Sequence, residues 1–475
     1  MSAEAEVTAG TSSPLRHALS TRQLTMIGLG GVIGAGLFVG SGKAISSAGP
    51  GVVLVYAATG VVVILVMRML AELAVANPDT GSFSAYAMRE LGPWAGLAIG
   101  WIYAYHWCVV VAFEAIAGSA VANTLVPAVP TWLFALAFMA ALTGVNLISV
   151  RSFGRFEFWF ALIKVATIVV FIAVGVLAVI GLIPGVARPG LANLTGHGGL
   201  FPAGGQPVLL AALTVFFAYF GTELVTVAAG EARNPTESVR RGMRSVSWRI
   251  LVFYVGSVLV VVTLLPWNAA KVTESPYAAV LDFIGLPAAG TVMNLIVITA
   301  VLSCLNSGLY SSSRMLFSLA RRGEAPKALG RTGRTGVPAT AVLAASTAGF
   351  LAVIANYFLP TDAVFTFLLD SSGGIAVIVY LCISVTQIAG RRRLRRTGAA
   401  LPAIRMWGFP YLSGLVIVVL LVVIGGMAFS STSRESLALT LVVAAIAVIA
   451  GIVYQRARHR AGTSTDQARV GTDTP

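Results

Sequence analysis

Charge is scarce in this 475-residue chain: Asp, Glu, Lys and Arg together make up 11% of it, against about 25% in ordinary soluble domains. With 57% hydrophobic residues and a mean hydropathy of +0.87, there are too few polar groups to cover a water-soluble globule. Histidine occurs only four times and cysteine three times, leaving little material for a metal centre or a disulfide framework. Cys108, Cys304 and Cys382 all sit in apolar runs and read as small buried side chains. The 20 prolines show no G-X-Y period, which excludes collagen, and the apolar content excludes disorder. Residues 1–20 carry no apolar signal core, so no cleaved signal peptide is expected. The class that remains is an all-α polytopic membrane protein.

A hydrocarbon core of about 30 Å needs roughly 20 apolar residues per helix. That ruler predicts twelve spans, at about 24–46, 51–76, 95–124, 131–149, 156–183, 206–230, 248–267, 287–319, 338–358, 362–389, 408–429 and 436–455. The formal net charge of +14 then finds its place. With the N-terminus in the cytoplasm, 26 of the 32 Lys and Arg fall on inside segments. Lys43, Arg188, Lys271 and Arg434 fall outside, and Arg68 and Lys164 lie within spans. This positive-inside bias places both termini in the cytoplasm. The basic charge is thereby assigned to anionic lipid headgroups, and no nucleic-acid partner is required.

Two spans carry signs of interruption. The first has Gly28, Gly30, Gly31, Gly34, Gly36 and Gly40 within thirteen residues, each interior glycine weakening a helix by about 1 kcal/mol relative to alanine. Unwinding around 31–36 would free backbone N–H groups at the positive end of a half-helix, suited to a carboxylate. The alternative is close packing of helices through small residues. The string superficially resembles a dinucleotide fingerprint, but no strand precedes it. The sixth span places Gly221 beside Glu223 in an apolar helix. A carboxylate there is expensive and by default functional, the alternative being a protonated side chain bonded to nearby backbone. The spacing of these interruptions, in spans one and six, is that of an inverted five-plus-five repeat.

Lys164 lies about nine residues into the fifth span, too deep to snorkel comfortably, and needs an anionic partner or a lowered pKa. Glu114 of the third span is a candidate. Protonation of either member would break such a pair, giving a proton-sensitive switch, while a purely structural ion pair is the alternative. Arg68 and Glu72 have i,i+4 spacing and read as a structural pair. Trp101, Tyr103, Tyr105 and Trp107 are expected in an interfacial belt, with His106 packed or hydrogen-bonded among them. The arginines of 391–396 read as a solvated or headgroup-facing loop. Walker, His-Glu-x-x-His and nucleophile-elbow motifs are all absent from the sequence, so no cofactor is expected and transport must draw on an ion gradient or run downhill. A channel would more often show symmetric pore motifs, and a membrane enzyme would need clustered catalytic groups.

The stretches 25–42 (TMIGLGGVIGAGLFVGSG), 67–87 (MRMLAELAVANPDTGSFSAYA), 153–168, 216–235, 245–268 and 303–326 resemble the amino acid–polyamine–organocation superfamily, in its bacterial amino acid permease branch. Coverage is nearly the whole chain. The stretches 67–87 and 245–268 look most like the 4-aminobutyrate (GABA) permeases of that branch. The resemblance implies a LeuT-like fold with helices one and six broken and two peripheral helices. The chain then divides into a tail at 1–20, a transport core at 21–396 with repeats at about 24–183 and 206–389, a helical pair at 397–458 and a tail at 459–475.

It also implies a binding site. The substrate carboxylate would meet Ile33, Gly34, Ala35 and Gly36, and the amine would meet backbone carbonyls around Phe216, Phe217, Ala218, Phe220 and Gly221, with Phe217 as an aromatic gate. Lys164 matches a fifth-helix lysine whose ammonium stands where sodium-coupled relatives hold sodium, which favours proton coupling, with Glu114 and Glu223 as further candidate groups. Glu114 either contacts Lys164 or faces the distal ammonium of an ω-amino acid. The expected activity is proton-coupled uptake of an amino acid across the bacterial inner membrane, 4-aminobutyrate or an analogue first. A permease or exchanger for alanine, proline, aromatic or cationic amino acids is the alternative. Expected partners are the substrate, protons and membrane lipids.

Overall fold

The computed structural model describes the chain from Val32 to Val470, apart from residues 78–81, 149, 187–190, 225, 227–236, 238, 244–247, 249, 334–335 and 431–432. The described residues form helices and no strands. In chain order the α-helices are α1 (Ala35–Phe38), α2 (Gly40–Ala48), α3 (Val52–Ala76), α4 (Ser82–Leu91), α5 (Pro93–Leu125), α6 (Thr131–Ile148), α7 (Val150–Val179), α8 (Ala192–Thr195) and α9 (Gly205–Tyr219). A π-helix, Ile250–Gly256, runs into α10 (Ser257–Leu264). There follow α11 (Ala270–Glu274), α12 (Pro276–Phe283), α13 (Pro287–Arg321), α14 (Ala339–Phe358), α15 (Thr361–Arg396), α16 (Tyr411–Phe429) and α17 (Arg434–Val470). Nine stretches among the described residues are long and apolar enough to cross a membrane, and Gly205–Tyr219 and Val252–Leu264 are shorter apolar helices.

Helix starts follow local chemistry. Pro93, Pro276 and Pro287 each open a helix, where the missing N–H is not needed and the fixed φ suits the first turn. Helix α5 is the centre of the bundle. It packs against α4, α6, α13, α14, α15 and α17, and apolar residues are buried all round it, as a helix with no solvent or lipid face requires. At the periphery the pattern changes to a single inward stripe. In α6 it is Ala135, Met139, Thr143 and Asn146; in α16 it is Ser413, Val416, Leu420, Val423 and Met427. Those spacings return to one face every two turns. Leu133 and Leu136 of α6 and Leu415, Val418, Leu421 and Val422 of α16 are exposed on the outer face.

Three expectations are corrected where α3 ends and α5 begins. Glu72 does not take Arg68 as its partner. Its carboxylate accepts the Arg391 guanidinium, Gln387 Nε2 at 3.0 Å and the Met406 amide at 2.8 Å. Arg68 instead donates to the Arg405 carbonyl at 2.8 Å and stacks over Trp407. The i,i+4 spacing supplies proximity, but a buried carboxylate is better served by a planar two-pronged guanidinium with two further donors. Second, 391–396 is not a loop but the last turns of α15. Arg391 is buried on Glu72, and Arg393 donates to Glu90 of α4 at 2.7 and 2.9 Å. Third, Tyr103, His106 and Trp107 are fully buried because α5 is central, so they form part of the core and not of an interfacial belt. The three cysteines are free thiols, with Cys304 buried and Cys108 and Cys382 only partly so.

Candidate functional site

At the first described residues the chain is extended at Gly34 (φ −133°, ψ −152°), makes one turn as α1, kinks at Val39 and continues as α2. Gly28, Gly30 and Gly31 lie outside the described residues. The kink and the short first turn leave the amide of Ala35 without a helical acceptor, as at any helix start. That amide is taken by a side chain from 79 residues away: Ala35 N donates to Glu114 Oε2 at 3.0 Å and Oε1 at 3.2 Å. Glycine is required beside it. A Cβ on Gly34 would stand 2.7 Å from Cys304 Cβ and would also strike the Glu114 carboxylate, and one on Gly36 would stand 3.0 Å from Ala218 Cα. The small residues of the first span therefore serve two ends here: they let α9 and α13 approach, and they leave a backbone donor facing a carboxylate.

The second interruption is explicit. Helix α9 stops at Tyr219, Phe220 is extended (ψ 147°) and Gly221 takes φ 99°, a conformation that favours glycine. Glu223 stabilises the break. Its Oε2 accepts the Gly221 amide at 2.9 Å and its Oε1 accepts Tyr103 Oη–H at 3.2 Å. Across the break, Tyr254 of the π-helix places its hydroxyl 2.9 Å from the Ala218 carbonyl and 3.2 Å from the Val32 carbonyl. It thus ties the two interrupted segments together. Short π-helical insertions recur at functional sites because they turn a side chain out of register.

Between the two interruptions lies a cavity of about 10 Å³, lined by Val32, Gly36, Trp107, Val110, Glu114, Phe217, Ala218, Phe220 and Cys304. That is room for about one water molecule; an amino acid enters only when the walls part. Of the sequence-expected residues, Gly36, Glu114, Phe217, Ala218 and Phe220 reach this cavity. Ile33, Gly34 and Ala35 are buried in the same segment without lining it, and Phe216 turns to Tyr380, 6.1 Å between ring centroids. Gly221 and Glu223 form the break itself.

Lys164 is buried on α7, within electrostatic reach of Glu157, Cys304 and Glu114, in that order. Glu157 was not singled out from the sequence. It sits seven residues before Lys164 on the same helix face, a two-turn spacing that could have found it. Its carboxylate accepts Ser303 Oγ at 2.8 Å to both oxygens. The two carboxylates that act on Lys164 are each held by a different neighbour: Glu157 by Ser303 of α13 and Glu114 by the amide at the start of α1. The cavity-lining Trp107, Val110 and Cys304, and Tyr254 that ties the two segments, also escaped sequence reading as site residues, since apolar and aromatic residues in apolar spans carry no mark of the site they build.

The amino acid permease family profile matches residues 23–461. The gamma-aminobutyric acid permease of Bacillus subtilis (strain 168) is 50% identical over 446 residues, 94% of this chain and 95% of that one. A probable GABA permease of Pseudomonas aeruginosa is 45% identical over 453 residues, 95% of each. The gamma-aminobutyric acid permease of Escherichia coli (strain K12) is 46% identical over 400 residues, 84% of this chain and 85% of that one. A multi-pass helical bundle, two interrupted segments meeting at a buried cavity and end-to-end similarity of this extent place the chain in the amino acid permease family.

Proposed function

We propose that this permease carries 4-aminobutyrate or a closely related ω-amino acid into the cell together with protons, across the bacterial inner membrane. The substrate class follows the names of its relatives. The orientation follows the excess of Lys and Arg on the segments assigned to the cytoplasm, with both termini inside. The architecture proposed is twelve spans, ten of them in two inverted repeats of five. Interruptions at Gly34–Val39 and at Phe220–Gly221 support it, because inverted-repeat transporters hold ligands at paired broken helices.

The observation that carries the coupling is the hydrogen bond from the Ala35 amide to Glu114, whose side chain lines the cavity. The substrate carboxylate and Glu114 compete for the same amide. When the substrate takes the Ala35 N–H, Glu114 loses the donor that favours its ionised form, and its affinity for a proton rises. Lys164 acts on Glu114 from α7, and Glu157 in turn acts on Lys164. By linkage, a proton that binds more tightly when substrate is present makes substrate bind more tightly when the proton is present. Glu223, committed to Gly221 and Tyr103, holds the second break in shape.

The test is labelled 4-aminobutyrate uptake into proteoliposomes with an inward proton gradient, no sodium and a panel of unlabelled competitors. Accumulation above equilibrium, competed best by ω-amino acids, is expected. Lys164→Ala should lose gradient-driven accumulation while keeping some exchange. Uptake by Glu114→Gln should lose its pH dependence. Unchanged pH dependence in both variants would overturn the coupling scheme; uptake of α-amino acids alone would overturn the substrate.

A further inference from the structure

His106 of α5 is completely buried, and neither ring nitrogen has a hydrogen-bond partner among the described residues. Buried polar groups are nearly always partnered, and an orphan one calls for an explanation. Its ring lies 3.8 Å from that of Phe220 between centroids, and Phe220 is the cavity-lining residue at the break after α9. Trp107, also on the cavity wall, is its chain neighbour. Tyr103 packs against Phe220 at 5.9 Å and carries the bond to Glu223. The surroundings of His106 are thus the aromatic rings of Phe220, Trp107 and Phe217. Electron-rich aromatic rings favour a cation, and a neutral imidazole nitrogen accepts an N–H.

The position along the helix is also informative. His106 precedes Glu114 by two i,i+4 steps, on adjoining faces of α5 and about 12 Å apart along its axis. Glu114 lines the cavity, and His106 lies behind three rings of its wall, with Phe220 the nearest and Trp107 and Phe217 beyond. Phe220 stands where the helix ends, with extended backbone (ψ 147°) followed by Gly221 at φ 99°. The carbonyl of Ala218, a cavity-lining residue, already receives Tyr254 Oη–H. An ammonium arriving there needs another acceptor.

We infer that His106, uncovered when Phe220 moves, is the subsite for the distal ammonium of an ω-amino acid whose carboxylate occupies the Ala35 amide. This deepens the transport reading above and rests on it. An α-amino acid carries both charges on one carbon and cannot span the interval, so His106 sets chain-length preference and leaves carboxylate capture untouched.

The experiment measures KM for labelled 4-aminobutyrate, and inhibition by alanine, in proteoliposomes of wild type, His106→Phe and His106→Gln, each checked for monodispersity and thermal unfolding. Losing a hydrogen bond to a charged group predicts a KM higher by about tenfold or more in His106→Phe. Alanine inhibition should be unchanged, and His106→Gln, which keeps an acceptor, should recover part of the loss. An unaltered KM in His106→Phe overturns the inference. So does an equal loss of both ligands in both folded variants, since a packing role weakens them together. If wild type carries alanine and no 4-aminobutyrate, the substrate reading falls first and this inference falls with it, and the wild-type measurement alone reveals that.

Discussion

The amide of Gly221 donates to the carboxylate of Glu223, two residues further along, at 2.9 Å. A break in a membrane helix strands backbone donors in a medium without water, and each must find a partner within the protein. Here the chain supplies it locally, with Tyr103 from α5 holding the second oxygen. Glu223→Gln keeps an acceptor for Gly221 and is expected to fold and transport with the wild-type pH profile. Glu223→Ala orphans two buried donors, and unfolding measured by thermal shift in detergent should show a loss of about 1–3 kcal/mol.

Gly34 is constrained by contact. A methyl group there would meet Cys304 at 2.7 Å as well as the Glu114 carboxylate, both fixed on central helices. Gly34→Ala must push Glu114 off the Ala35 amide. Uptake is expected to fall by about tenfold or more, the equivalent of roughly 1.4 kcal/mol, while Gly414→Ala on α16, with open space around it, should transport as wild type.

Glu72 and Arg391 are 319 residues apart in sequence and bonded in a buried cluster that also takes Gln387 and Met406. Glu72→Ala leaves an uncompensated buried guanidinium, at a cost of about 3–5 kcal/mol. Removing both charges in Glu72→Ala/Arg391→Met should be less damaging than Glu72→Ala alone. Thermal unfolding of the single and double variants checks this; equal losses would show that the pair contributes nothing as a pair.

Glu90, on the short helix α4, gives a pH dependence. Burial pushes its carboxyl up, but Arg393 and Arg89 outweigh that and hold it below the usual carboxylate range. A depressed folded-state value means that its contribution is present above the unfolded pKa and is lost as pH falls through the folded one. The stability advantage of wild type over Glu90→Gln should therefore be constant near neutrality and shrink below about pH 4. An advantage that persists at lower pH would exclude the ion pairs as its source.

The interruptions themselves were legible in part. Glycine clustering marked the first, and Gly221 beside Glu223 marked the second, because glycine and intramembrane carboxylate are each costly where they stand. Lys164 and Glu114 stood out for the same reason. Glu157 did not, because it lies near the start of its span, where a charge is cheap, and only the packing of α13 onto α7 brings Ser303 to it. Arg391 was misread because a run of arginines after an apolar span signals a headgroup-facing end whether or not one of them turns inward.

Composition and hydropathy alone determined that this chain lives in a membrane, roughly where its helices run and which charged residues are out of place, since transfer of each side chain from water is a property of that side chain. The tertiary structure decided which groups answer one another. That Glu114 takes the Ala35 amide, that Tyr254 ties Val32 to Ala218 and that His106 ends without a partner beneath Phe220 are consequences of helix rotation and close approach. Those depend on the packing of all the helices together, and no local sequence spacing encodes them.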